Sequence, residues 1–372
     1  MQLLQRLFVP AALAAALLAG VSAASQELAT PSTKFPVSVE VIPGKLTVRV
    51  FLHEIVTLGE TIPCWSYVTE GLMAQKQKEI IFTLQRNKNQ KPADYPHAFF
   101  DLFKEIYHLA EEGKLVQVGG ITAFGPTGFM GQRDFAGIAY VEPETLPGVD
   151  APGPRLAGIL LKGDEPEIVW TFGITRVVAL LGLKYRHYPY PVWSDLKRDA
   201  VASIKSMKKN LMSRVPRISA DASYYEEGNH IFLSVQPASR EFLQQGLSQV
   251  PPGSPLIINT WIDSRADACL VWSSKDNAPP AAISPPDSKG ARKTGSFLAF
   301  VPEQETNEIK LIEDGYSVFI TSSSWQKIRE ALASGSNVSI PGADGAILTI
   351  EWSSNPGLRE TKNTASAGWS IP

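Results

Sequence analysis

The chain has 372 residues, 44% hydrophobic and 19% charged, an ordinary globular balance with enough length for two domains. Lys and Arg number 35 against 37 Asp and Glu, a formal charge of −2 that argues against a nucleic-acid binder or a polybasic membrane binder. Two cysteines, Cys64 and Cys269, do not make a disulfide framework. Each sits beside apolar residues, where a buried free thiol is common, and only geometry decides whether they pair.

First in chain order is a leader. Arg6 is its one charge, an apolar stretch rich in Ala and Leu covers 8–21, and Val21-Ser22-Ala23 fits the small-x-small rule for cleavage after Ala23. The apolar run contains Pro10 and is shorter than the ~20 residues that a spanning helix needs. No Cys follows it, which argues against a lipoprotein anchor. The expectation is a signal peptide over 1–23 and a soluble, periplasmic or secreted mature body without a stable membrane anchor. Losing Arg6 takes the formal charge from −2 to −3.

Residues 36–52 alternate apolar and polar about Pro43-Gly44 and predict two strands. A strand follows over 79–84. Phe99, Leu102, Phe103, Ile106, Leu109 and Ala110 then recur at helical spacing, and Gly113 ends the clearest helix, 95–112. Strands are predicted over 135–141 and 156–162, and a short apolar helix over 176–181 closes on Gly182. Residues 195–217 read as a connecting helix, with Ala200, Ile204, Met207 and Leu211 on one face and a basic, solvated opposite face. Strands over 231–235, 256–262, 268–273, 295–301, 316–321 and 346–352 then intersperse with helices over 239–247 and 324–333. The Pro-rich stretch 277–293 reads as a surface loop and 354–372 as a disordered tail. The fold class is therefore α+β, with mixed sheet-and-helix domains over 37–194 and 218–353.

Several short runs stand in one order. They are Trp65-Ser66-Tyr67-Val68-Thr69-Glu70-Gly71, the 79–84 strand, Phe129-Met130-Gly131 and Leu156-Ala157-Gly158-Ile159-Leu160. Leu181-Gly182-Leu183-Lys184-Tyr185-Arg186-His187-Tyr188-Pro189-Tyr190-Pro191, Thr294-Gly295-Ser296-Phe297 and Glu313-Asp314-Gly315 continue the series. This pattern resembles the C-terminal domain of the Smad anchor for receptor activation and its relative endofin. The first half is also similar to the suppressor of fused domain. The resemblance implies an α+β protein-interaction module with a protein partner. The chain has neither the lipid-binding zinc finger nor the Smad-binding segment of those animal proteins, so their signalling role does not carry over.

Catalytic signatures are sparse. There is no Gly-x-Ser-x-Gly elbow, and His53, His97, His108, His187 and His230 form no His-x-x-x-His or His-Glu-x-x-His pair. Gly125, Gly128 and Gly131 match neither a phosphate loop nor a dinucleotide fingerprint. No metal, cofactor or catalytic residue is assigned. One cluster is denser in binding chemistry: Tyr185, Arg186, His187, Tyr188, Tyr190 and Trp193, in which Pro189 and Pro191 favour an extended backbone. Tyr, Trp and Arg dominate binding hot spots, which makes this run the candidate binding face; the competing reading is buried rings with satisfied hydroxyls. A second functional reading is a periplasmic hydrolase using His187 as general base, because a His beside Tyr and Arg can titrate near neutrality.

Overall fold

The computed structural model describes residues 35–208, 211–272, 280–285, 288, 290 and 292–354. The expected signal peptide, part of the Pro-rich stretch and all but Ser354 of the expected tail lie outside the described residues. The described chain is α+β, as expected.

The first sheet begins with β1 (Val37–Ile42), β2 (Leu46–Thr57), β3 (Glu60–Glu70) and β4 (Glu79–Gln85). After α1 (Ala98–Glu111) it adds β5 (Ile121–Ala123), β6 (Phe135–Val141) and β7 (Arg155–Lys162), in the order β1-β2-β3-β4-β7-β6-β5. Strands β4 and β7 pair in parallel at its centre and are buried on both faces, hence their almost unbroken apolar runs. Pleating along β2 sends Val48 and Val50 toward α1, and Phe51 and Ile55 to the opposite face. Phe99, Phe103 and Ile106 of α1 fill the first of these cores, with Phe99 stacked on Phe82 at 4.4 Å. Truncating a buried Phe of this kind to Ala costs about 3–5 kcal/mol.

β3 went unread in the sequence because Pro63 and scattered polar residues break its pattern. Its partner β2 imposes the register instead, through a two-residue turn in which Leu58 (φ 44) and Gly59 (φ 79) both take the left-handed region.

Helices α2 (Glu165–Phe172) and α3 (Ile174–Tyr185) cover the other face of this sheet. The continuous helix expected over 195–217 is not formed. Among the described residues, a four-residue helix, α4 (Ile204–Met207), and a 3-10 turn, Leu211–Arg214, are what remain of it. The cause is tertiary: the Arg198 guanidinium is drawn inside to donate to the Leu160 carbonyl (2.7 Å) and to Glu165, while the Val201 N–H donates to Glu165 Oε1 (2.8 Å). These bonds hold the backbone before α4 in an irregular path, and Arg198 is buried rather than solvated.

The second sheet contains β8 (Arg217–Glu227) and β9 (His230–Val235), then, after α5 (Arg240–Gln249), β10 (Leu256–Ile262) and β11 (Ala268–Val271). It continues with β12 (Ala281–Ile283), β13 (Arg292–Thr294), β14 (Phe297–Val301), β15 (Glu308–Ile312) and β16 (Gly315–Phe319). α6 (Ser322–Ser334), β17 (Val338–Pro341) and β18 (Ile347–Trp352) complete it. β12 and most of β13 fall within the stretch expected to be loop; their pairing with β11 supplies the order that composition did not suggest. β8 is the long shared strand, bonded in parallel to β10 and antiparallel to β9 and β13. Leu243 and Leu247 of α5, with Trp325, Ile328 and Leu332 of α6, cover one face. Both thiols are free and buried, Cys64 in the first sheet and Cys269 on β11, and burial pushes the Cys64 thiol up to about 12.

α3 belongs to both halves. Its Ala179 packs with Cys269, Val271 and Ile283, and the Thr175 hydroxyl donates to the Thr260 carbonyl at 2.6 Å. The fully buried Arg176 guanidinium pairs with Asp314 between β15 and β16, Nε to Oδ2 at 3.0 Å, and Ser296 donates to the same carboxylate at 2.7 Å. Arg176→Met strands a buried carboxylate and is expected to lower unfolding free energy by about 3–5 kcal/mol. Adding Asp314→Leu removes the stranded charge and recovers part of that loss, as urea denaturation of both variants would measure.

Candidate functional site

The run from Tyr185 to Trp193 is not uniformly extended. α3 continues to Tyr185, and Arg186 caps it in the left-handed conformation (φ 52), with its N–H on the Leu183 carbonyl and that of His187 on the Gly182 carbonyl. A glycine is required at 182, since a Cβ there would lie 2.4 Å from the Pro189 carbonyl oxygen as the chain folds back. The helix persists because Leu181 and Tyr185, one turn apart, both pack on the first-sheet core.

The six candidate residues therefore separate. Tyr185, His187 and Trp193 come together: both rings meet the buried Trp193 edge to face, at centroid distances of 6.0 and 5.0 Å. The Tyr185 hydroxyl donates to Asp195 Oδ2 at 3.1 Å; burial first, then the Asp195 charge, raises its pKa. His187 Nδ1 lies 3.2 Å from Thr57 Oγ1 at the end of β2. Tyr188 reaches the other half, donating to the Ala266 carbonyl at 2.7 Å. Tyr190 is buried and faces the cleft between the sheets. Arg186 alone of the six is exposed.

This arrangement makes most of the cluster a joint that locks α3, the β2 end and the second sheet together. Its outward part is small but has apolar company. Thr57, the partner of His187, is flanked by Val56 and Leu58, which are 57% and 36% exposed. The Thr57–His187 contact thus joins a β2–β3 hairpin tip that exposes two aliphatic side chains to an α3 C-terminus that exposes the left-handed Arg186, with His187 half-buried at the junction. The tip was not among the residues that the sequence singled out, because the alternation read there ends at residue 52.

As a catalytic base, His187 would have to act from between the Trp193 ring and the Thr57 hydroxyl. The other histidine close to a hydroxyl on these strands is buried: His53 Nε2 is 2.8 Å from Ser66 Oγ, itself 2.6 Å from Thr83 Oγ1. Among the described residues no three His, Cys, Asp or Glu side chains stand close enough together to hold a metal ion.

No protein-family model matches the chain. In a 291-residue alignment that covers 72% of this chain, it is 25% identical to zinc finger FYVE domain-containing protein 9 of Homo sapiens, the Smad anchor that the residue pattern resembles. The chain spans only 20% of that relative's length. Among solved structures, Drosophila suppressor of fused superposes loosely, with a TM-score of 0.34 at 9% identity, over 82% of this chain and 88% of that one.

Burial lowers the His53 pKa from 6.5 to about 4. The folded state therefore holds this ring neutral at pH values where the unfolded chain binds a proton. Its contribution to stability is complete above pH 6.5 and is lost as pH falls from 6.5 toward 4. Denaturation midpoints across that window should decline for the parent protein, and decline less in His53→Phe.

Proposed function

We propose that this is an exported, non-catalytic protein-interaction module, and that the β2–β3 hairpin tip with the α3 C-terminus is its contact surface. The observation that carries the reading is the exposure of Val56 and Leu58 on a hairpin tip that the Thr57–His187 contact joins to the helix end bearing the exposed Arg186, on a base completed by Trp193. Exposed aliphatic side chains and an arginine on two joined elements supply apolar area and a charge, the combination that anchors protein contacts. A rigid base lowers the ordering cost of binding. The similarity to part of zinc finger FYVE domain-containing protein 9 and the absence of catalytic sequence motifs support the same reading.

Tagged protein recovered from an envelope extract of its producing cells should bring down a partner that Val56→Asp with Arg186→Ala no longer retains, while the thermal melt stays unchanged. Retention of the same partner by that folded variant would remove this surface from consideration. A substrate turnover lost in His187→Ala would replace the whole reading with the hydrolase one.

Export follows from the leader over 1–23. N-terminal sequencing of protein from the cell envelope or medium is expected to begin at Ala24. A chain beginning at Met1 and retained in the cytoplasm would refute it.

A further inference from the structure

A cavity of about 410 Å³ lies in the cleft between the two sheets, walled by Val116 and Val118, by Ile174 and Val178 of α3, and by Tyr190 and Trp261. Its size and its wall of mixed apolar and polar side chains match small-molecule sites, which favour the boundaries between structural units. Gly119 takes a φ of +81, and a Cβ there would approach the Trp261 ring to 3.3 Å, so the 115–119 segment lies close against the indole.

Four charged side chains line the cavity: Lys76, Lys78, Glu142 and Asp221. Both lysines are exposed, so water and salt weaken their reach. Glu142 already has an interaction within the protein. Asp221 differs: it stands half-buried at the cavity wall, and burial raises its pKa.

The backbone delivers Asp221 to the cavity by an irregularity in β8. Ser219 opposes Asn259 and Ser223 opposes Trp261, so β8 carries extra residues around Asp221 relative to β10. Bulges of this sort re-aim a side chain and recur beside functional sites. This one is anchored on both sides, with the Asp221 N–H donating to Ser239 Oγ and its carbonyl accepting from the Gln236 N–H, each at 2.8 Å.

We propose that the cleft binds a small organic cation with an apolar body, its ammonium group paired with Asp221 and its body set against Trp261, Tyr190 and the α3 side chains. A carboxylate together with aromatic walls is the chemistry that recognises such cations, through charge and through the ring quadrupoles. A neutral analogue forfeits the charge, and an anion meets Asp221 as a like charge.

Isothermal titration of the full chain with benzyltrimethylammonium, benzyl alcohol and phenylacetate tests this. The ammonium is expected to bind roughly tenfold or more tightly than either analogue, about the worth of one charged contact. Asp221→Asn should lose about that factor while melting as the parent does, and Trp261→Leu should weaken the ammonium in the same direction. Absence of ammonium binding by the folded parent, binding unaltered in Asp221→Asn, or phenylacetate binding as tightly as the ammonium would each overturn the proposal.

Discussion

Everything in the second half is oriented to the first through the desolvated pair between Arg176 and Asp314. A guanidinium taken out of water is costly to hold, and only a carboxylate with good geometry offsets the loss. Such a pair adds little net stability over a well-packed apolar substitute, yet it excludes arrangements that would leave either charge alone. Arg176 sits on the helix whose neighbouring residues pack on the first sheet, and Asp314 on a turn of the second. Satisfying the pair therefore fixes how the sheets meet. Thr175 on Thr260, Ala179 against Cys269, and Tyr188 on Ala266 all tighten the same junction.

Two surfaces follow from that junction. At one end of α3, the C-terminal turn is held against the β2 end, which fixes the direction in which Arg186 and the hairpin tip face solvent. Toward its other end, Ile174, Thr175 and Val178 line the gap that remains between the sheets. A single helix thus sets both the outward contact surface and the inner cavity. The aromatic run after α3 serves this geometry mainly from inside, with Trp193 as the platform on which Tyr185 and His187 rest.

Much of the architecture was legible where one periodicity dominated. The α1 face, from Phe99 to Ala110, and the α6 face, from Trp325 to Leu332, repeat at helical spacing with glycines after them, and both formed. The central strands were legible as apolar runs. β3 was not, since Pro63 and the polar positions obscure a strand whose pairing comes from β2. The 195–217 segment was misread because its local pattern is helical, while Arg198 and Glu165 prefer a buried pair that a continuous helix would forbid. The candidate site shows the same division: residue types marked 185–193 as chemically rich, but which of those side chains faces water depended on α3 running on to Tyr185.

By itself, the amino-acid order determined the α+β class and the sites of the strongest helices and strands. Those features depend on local periodicity and on residue types close together in the chain. Tertiary structure alone decided that Arg176 would find Asp314, that Trp193 would be a floor rather than a contact, and that Asp221 would line a cavity beside Trp261. Each of those depends on groups distant in the chain meeting where water is excluded, and the energy of such encounters leaves no periodic trace in either partner's own segment.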